Sequence, residues 1–186
     1  MTATLRRHWN AFSLIILALA AGWIVLTAFV APDPTQGRIP APRPGFLAPD
    51  FELQTLDGDD LRLGEQQGRP IILNLWASWC PPCKAEMPAL QQVHEDYAAE
   101  GLLVVGLNTS QQDRLADVQR FVGEYRLTFP ILLDLENQAT RVYGTNALPT
   151  TYFIRADGTI ADLVIGGPLS EALLRSKAEE LLQEAR

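Results

Sequence analysis

Cysteine is scarce in this chain, two in 186 residues, so the disulfide framework that holds small secreted domains together is not available to it. Histidine is equally scarce, and only His94 lies beyond the first ten residues, on a helix expected to face solvent. Two cysteines and one histidine fall short of the roughly four ligands of a structural zinc site. Positive charge is also in deficit, with 15 Lys and Arg against 22 Asp and Glu. Arg6 and Arg7 are the only charged side chains before Asp33, which leaves 13 basic against 22 acidic residues afterwards, a balance of -9. That sign excludes nucleic acid as a natural partner. A hydrophobic content of 47% excludes a disordered chain, and the length suits one ordinary domain with an attachment, not two large ones.

The attachment is the segment without charge. Ala11 to Ala31 has only Ser13 and Thr27 as polar side chains. At about 1.5 Å per residue a helix of this length spans roughly 32 Å, close to the hydrocarbon thickness of a bilayer. Arg6 and Arg7 just before it place residues 1–10 in the cytoplasm and everything after the span beyond the membrane, in a periplasm or on the outer face. A cleaved signal peptide is the alternative. It usually has a shorter apolar region and ends in a small-x-small site, and Leu26 or Phe29 stands where the first small residue would be needed. A mature N-terminus near residue 29 or 32 would establish cleavage. Residues 32–49 carry six of the 13 prolines, which favours extended backbone. This stretch is either a stalk or, in its last residues, an edge packed along the domain that occupies 50–186.

Within that domain, Phe51–Gln54 and Leu61–Leu63 flank the turn signal Asp57-Gly58-Asp59-Asp60 as a hairpin. Pro70–Trp76 and Leu102–Asn108 are apolar runs of strand length, as in strands buried on both faces. Pro82–Ala99 reads as a helix with Leu90, Val93 and Tyr97 on one stripe and a kink at Pro88. Asp113–Tyr125 reads as a second helix with Asp113 as its N-cap. Pro130–Leu133 is a short strand, Gln138–Tyr143 a helical turn or two, and Thr150–Arg155 and Thr159–Val164 are strands joined at Asp157-Gly158. A helix capped by Ser170 ends the chain. Helices alternating with buried strands predict an α/β fold: a mixed sheet covered on both faces.

The chemistry converges on Trp79-Cys80-Pro81-Pro82-Cys83, where a buried strand runs into a helix. A thiolate at a helix N-terminus faces unpaired backbone N–H groups and the positive end of the helix dipole. Cys80 is therefore the expected nucleophile, and Cys83, one turn on, is placed to resolve a mixed disulfide. Pro81 and Pro82 withhold two N–H donors from the sulfur, which predicts a comparatively reducing pair. An inert structural disulfide at this spacing would close almost no loop and add little stability.

The run NLWASWCPPCKAEMPAL, followed much later by Leu148-Pro149-Thr150-Thr151, resembles the thioredoxin superfamily. More narrowly it resembles the membrane-anchored thiol–disulfide reductases of the TlpA/ResA type, over roughly residues 48–182. The resemblance implies a thioredoxin-like fold with a central helix–strand insertion, and a cis peptide bond before Pro149 beside the sulfurs. It also implies a substrate groove formed by Trp79, Pro81, Pro82, Leu148 and Thr150. No cofactor is implied beyond the Cys80–Cys83 pair. Ordinary thioredoxins carry a buried aspartate six residues before the first cysteine, and Asn74 stands there. Glu86, three residues after Cys83 on the same helix, matches a functional glutamate of the ResA-like proteins and is expected to handle the proton of Cys83.

The resulting expectation is an extracytoplasmic reductase of disulfides in exported proteins, with apocytochrome c as a client and a membrane thiol donor to recharge it. Two other functions compete. Both thiolates with Met87 could hold Cu(I), since soft sulfur ligands prefer it, but the late histidine of the copper-chaperone type is missing. A thiol peroxidase needs Thr or Ser three residues before the reactive cysteine, where this chain has Ala77.

Overall fold

The structure, a computed structural model, describes residues 16–20, 22–23, 39–109 and 113–186. The chain divides into two compact units, Met1–Gly37 and Arg38–Arg186. In the first, residues 16–20 and 22–23 are helical, with Ile16, Leu17, Leu19 and Trp23 exposed. No helix among the described residues is long and apolar enough to cross a membrane. The expected span at 11–31 and the cytoplasmic segment at 1–10 lie largely or wholly outside the described residues.

In the second unit the two apolar runs form β3 (Ile71–Trp76) and β4 (Leu103–Asn108), buried along their whole length. They pair in parallel at the centre of a five-stranded mixed sheet. β5 (Ile131–Leu133) extends the sheet in parallel beyond β4. β6 (Thr150–Ile154) runs antiparallel to β3, and β7 (Ile160–Ile165) antiparallel to β6. The order β5-β4-β3-β6-β7 puts the strand that leads into the cysteines in the middle. β1 (Glu52–Gln54) and β2 (Asp60–Arg62) form the separate hairpin.

Strand side chains alternate between faces, and β3 uses both. Ile72 and Trp76 join one core with Leu90, Val93, Phe121, Phe153 and Leu181. Leu73 and Leu75 join a second with Val105, Leu107 and Tyr152. The first is covered by helices α1 (Pro81–Tyr97), α2 (Leu115–Tyr125) and α4 (Glu171–Glu184). α3 (Gln138–Val142) sends Ala139 into the second. α1 continues through Pro88 without a break. Asn74 lies between Ile72 and Trp76 on the strand and so points toward α1, a polar side chain on an otherwise apolar face.

Two expectations are corrected. Asp113 does not cap α2: Arg114 is the N-cap residue and offers no side-chain bond, while the Asp113 carboxylate is engaged elsewhere. His94 does not face solvent. It is half-buried, edge-on to Phe129 at 5.8 Å, with an Nδ1 that has no hydrogen-bond partner. Burial pushes its imidazole below the usual range, with the Arg69 charge adding to the effect and Glu95 opposing it. Ser170 does cap α4, accepting from the Leu173 N–H at 3.3 Å. Of the two readings of the proline-rich segment, residues 39–49 follow the packed one. Gly45 and Phe46 exchange backbone hydrogen bonds with Ile160, Ala48 donates to Gly158, and Tyr143 donates to the Pro49 carbonyl at 2.9 Å.

Candidate active site

Cys80 and Cys83 are joined as a disulfide, with Cα atoms 5.3 Å apart. Cys80 is the N-cap residue of α1, in extended conformation, and Pro81 and Pro82 fill the first two helical positions. Proline suits these positions because the first N–H groups of a helix have no internal partner. The first N–H available to the Cys80 sulfur is therefore that of Cys83, which donates to Sγ at 3.2 Å. Both sulfurs sit at the end of β3, Cys83 fully enclosed and Cys80 2% exposed on the floor of a groove.

That groove has a volume of about 400 Å³. Trp79, half exposed, Pro81, Pro82 and Leu148 line it, and so do Thr109 and Asn146, which the sequence did not flag. Thr150 is not among the lining residues. It is 3% exposed, and its hydroxyl donates to the Ala147 carbonyl at 2.7 Å, so it supports the loop from beneath. The Leu148–Pro149 peptide bond is cis, and the Pro149 carbonyl accepts from the Gly166 N–H at 2.7 Å.

The loop that precedes the cysteines is held from outside its own segment. The Asp113 carboxylate accepts from the Ser78 N–H at 2.6 Å, from the Ser78 hydroxyl, and from Asn108 Nδ2 at 2.9 Å. Two strand ends, those of β3 and β4, are thus tied by one carboxylate.

Glu86 is wholly enclosed, not a solvated helix carboxylate. Oε1 accepts from Asn74 Nδ2 at 2.7 Å and Oε2 from the Leu169 N–H at 2.9 Å. Asn74 Nδ2 also donates to Thr151 Oγ1 at 2.8 Å, its direct cross-strand partner on β6. Burial pushes the Glu86 carboxyl above the usual range, and the bonds from Leu169 and Asn74 pull it part of the way back. Lys84 contributes its backbone, donating to the Cys80 carbonyl at 3.1 Å, while its side chain is exposed. Met87 is fully buried in the core. Among the described residues no group of three or more His, Cys, Asp and Glu is placed to hold a metal ion.

A cysteine pair at a strand-to-helix junction of a mixed sheet, joined as a disulfide, open to a groove and bordered by a cis-proline loop, defines a thioredoxin-fold thiol–disulfide oxidoreductase. Known proteins agree. The sequence model of the AhpC/TSA family matches residues 44–163. The thiol-disulfide oxidoreductase ResA of Halalkalibacterium halodurans is 32% identical over 181 residues, covering 97% of this chain and 98% of that protein. Among solved structures, a secreted Mycobacterium tuberculosis disulfide oxidoreductase homologous to E. coli DsbE is 32% identical. It has a TM-score of 0.65 and covers 70% of this chain and 96% of that one. StoA from Bacillus subtilis has a TM-score of 0.61 at 30% identity, over 69% and 96%. The chain belongs to the AhpC/TSA family, among its ResA-like thiol–disulfide oxidoreductases, and exchanges disulfides with protein clients.

Proposed function

We propose that this chain is an extracytoplasmic reductase of disulfides in exported proteins, held at the membrane by residues 11–31, with apocytochrome c as a client. The observation that carries the direction is the donor set at the Cys80 sulfur. A thiolate there receives one backbone N–H, from Cys83, where a helix start without Pro81 and Pro82 could offer more. A less stabilised thiolate makes a weaker oxidant. The secreted state of the M. tuberculosis relative supports placing the domain outside the cytoplasm.

In the reducing direction the Cys80 thiolate attacks one sulfur of a client disulfide. The client S–S bond breaks, its other sulfur leaves as a thiolate, and a mixed disulfide forms on Cys80. The Cys83 thiol then gives up its proton to Glu86, and the resulting thiolate attacks Cys80 Sγ. This closes the Cys80–Cys83 disulfide and releases the client's second thiolate. The client gains two electrons, the pair loses two, and a membrane thiol donor restores the dithiol. Trp79, Pro81, Pro82 and Leu148 hold the client along the groove, with the cis Leu148–Pro149 bond in the loop that borders it.

Trapping tests this reading. The full chain carrying Cys83→Ala is expressed with its natural exported proteins, and covalent adducts are identified by mass spectrometry. Mixed disulfides on Cys80 that include apocytochrome c support the reading, and adducts that consistently lack it remove that client. A reduction potential of the wild-type pair near the roughly -120 mV of strongly oxidising relatives of this motif would overturn the reducing direction.

A further inference from the structure

The turn between β7 and α4, Gly166-Gly167-Pro168-Leu169, touches both the buried carboxylate and the proline loop. Gly166 N–H donates to the Pro149 carbonyl at 2.7 Å, and Leu169 N–H donates to Glu86 Oε2 at 2.9 Å. Between these anchors Gly167 has no room for a side chain. A Cβ at this position would lie 2.6 Å from Pro149 Cγ and 2.7 Å from Glu86 Oε2, closer than a carbon atom can approach either without displacement. Its neighbour Gly166 differs: it needs glycine for a φ of +87° and has nothing within 4 Å of a Cβ. The two glycines are therefore required for different reasons, Gly166 by the backbone angle and Gly167 by contact.

We propose that this turn is the seal that closes the Glu86 carboxylate from water, with Gly167 as the positioning residue that lets it press on Glu86 and Pro149 together. The inference rests on the reading that Glu86 serves the cysteine pair, and it adds that the carboxylate's setting is decided by a segment more than eighty residues away in sequence. The turn supplies one donor, the Leu169 N–H, and otherwise hydrocarbon and backbone. The other neighbours are also uncharged. β3 presents Asn74 and β6 presents Thr151 behind it. On α1, Cys83 three residues before Glu86 is joined to Cys80 as a disulfide, and Lys84 is exposed. No charged side chain contributes to the upward displacement of Glu86, which comes from burial alone. Lifting the turn by the few tenths of an ångström or more that a methyl group demands would admit water to Oε2. Water would also replace the lost Leu169 donor, so the net change is a carboxyl that ionises more readily.

The test uses the full chain in detergent micelles, isotopically labelled, followed by NMR as pH is varied. In the wild type, the Glu86 side-chain carboxyl carbon and the Leu169 amide proton should shift with a common midpoint, because the amide donates to the titrating oxygen. In Gly167→Ala that midpoint should fall toward the ordinary glutamate range, and the Leu169 amide should lose its response. A folded Gly167→Ala protein with the wild-type midpoint overturns the inference. If that variant does not fold, a wild-type Leu169 amide that ignores pH while Glu86 titrates overturns it equally. The pH dependence of thiol exchange is measured on the same samples. Should the Glu86 midpoint fall while the exchange profile stays in place, the seal stands and the proton-handling reading of Glu86 fails.

Discussion

Asn74 Nδ2 and Glu86 Oε1 lie 2.7 Å apart, both side chains fully enclosed between the central strand and the helix that carries the cysteines. An amide thus stands where a thioredoxin has its aspartate, and the acid has moved to the helix. A buried polar group costs little when bonded and much when not. Asn74 meets this requirement for the carboxylate while itself anchored to Thr151 at 2.8 Å.

Replacing Asn74 by Asp sets two carboxyl groups against each other at this distance, where both cannot ionise cheaply. The variant should lose about 1–3 kcal/mol of stability near pH 8 and regain part of it near pH 5, where the pair holds a proton. Urea denaturation at the two pH values checks this, and equal losses at both would contradict it.

Glu86 also makes stability depend on pH in its own right. Its folded pKa is raised above the ordinary 4.5, chiefly by burial. It therefore contributes stability that is full below the ordinary value and is lost as pH rises through the raised one. Glu86→Gln has no such component. The stability of the wild type minus that of Glu86→Gln should fall as pH rises from about 4.5; a difference that stays level or climbs would reverse the assignment.

Asp113→Ala deprives the Ser78 N–H and hydroxyl of their acceptor at the loop before Trp79. A loss of about 1–3 kcal/mol is expected, since hydrogen bonds to charged groups are among the stronger ones. Asp113→Asn should recover part of it. Exchange with a small disulfide should slow along with the loss, because the same loop aims Trp79 and Cys80 at the groove. Thermal denaturation and stopped-flow exchange rates measure the two effects.

Pro82→Ala restores an N–H at the second helical position, aimed toward the capping sulfur. With a second donor beside the one from Cys83, the Cys80 thiolate is better stabilised. The pair should become more oxidising, and equilibration with glutathione should show it, at about 30 mV for each tenfold change in the equilibrium constant. A potential unchanged or more negative would show that backbone donors do not set the poise of this pair.

Much of this molecule was legible in its sequence because the signals are local. The apolar runs at Ile71–Trp76 and Leu103–Asn108 announce buried strands, Ser170 marks a helix start, and prolines beside Cys80 mark another. Each depends on neighbours within a few residues, where chain geometry alone dictates which atoms meet. The placement of the cysteines at a helix N-terminus followed from such signals, and so did the order of strands and helices.

What only the tertiary structure decided is which polar groups the fold encloses. Glu86 has the spacing of an ordinary helix-surface residue, and its burial comes from Asn74, twelve residues away, and Leu169, eighty-three residues away. Asp113 has the look of a helix cap, yet its carboxylate reaches Ser78, thirty-five positions back. Periodicity reports how apolar a face is, but a carboxylate's partner depends on a loop brought from far along the chain. That closure is made by the whole sheet and its two cores at once, so no short window of residues contains it.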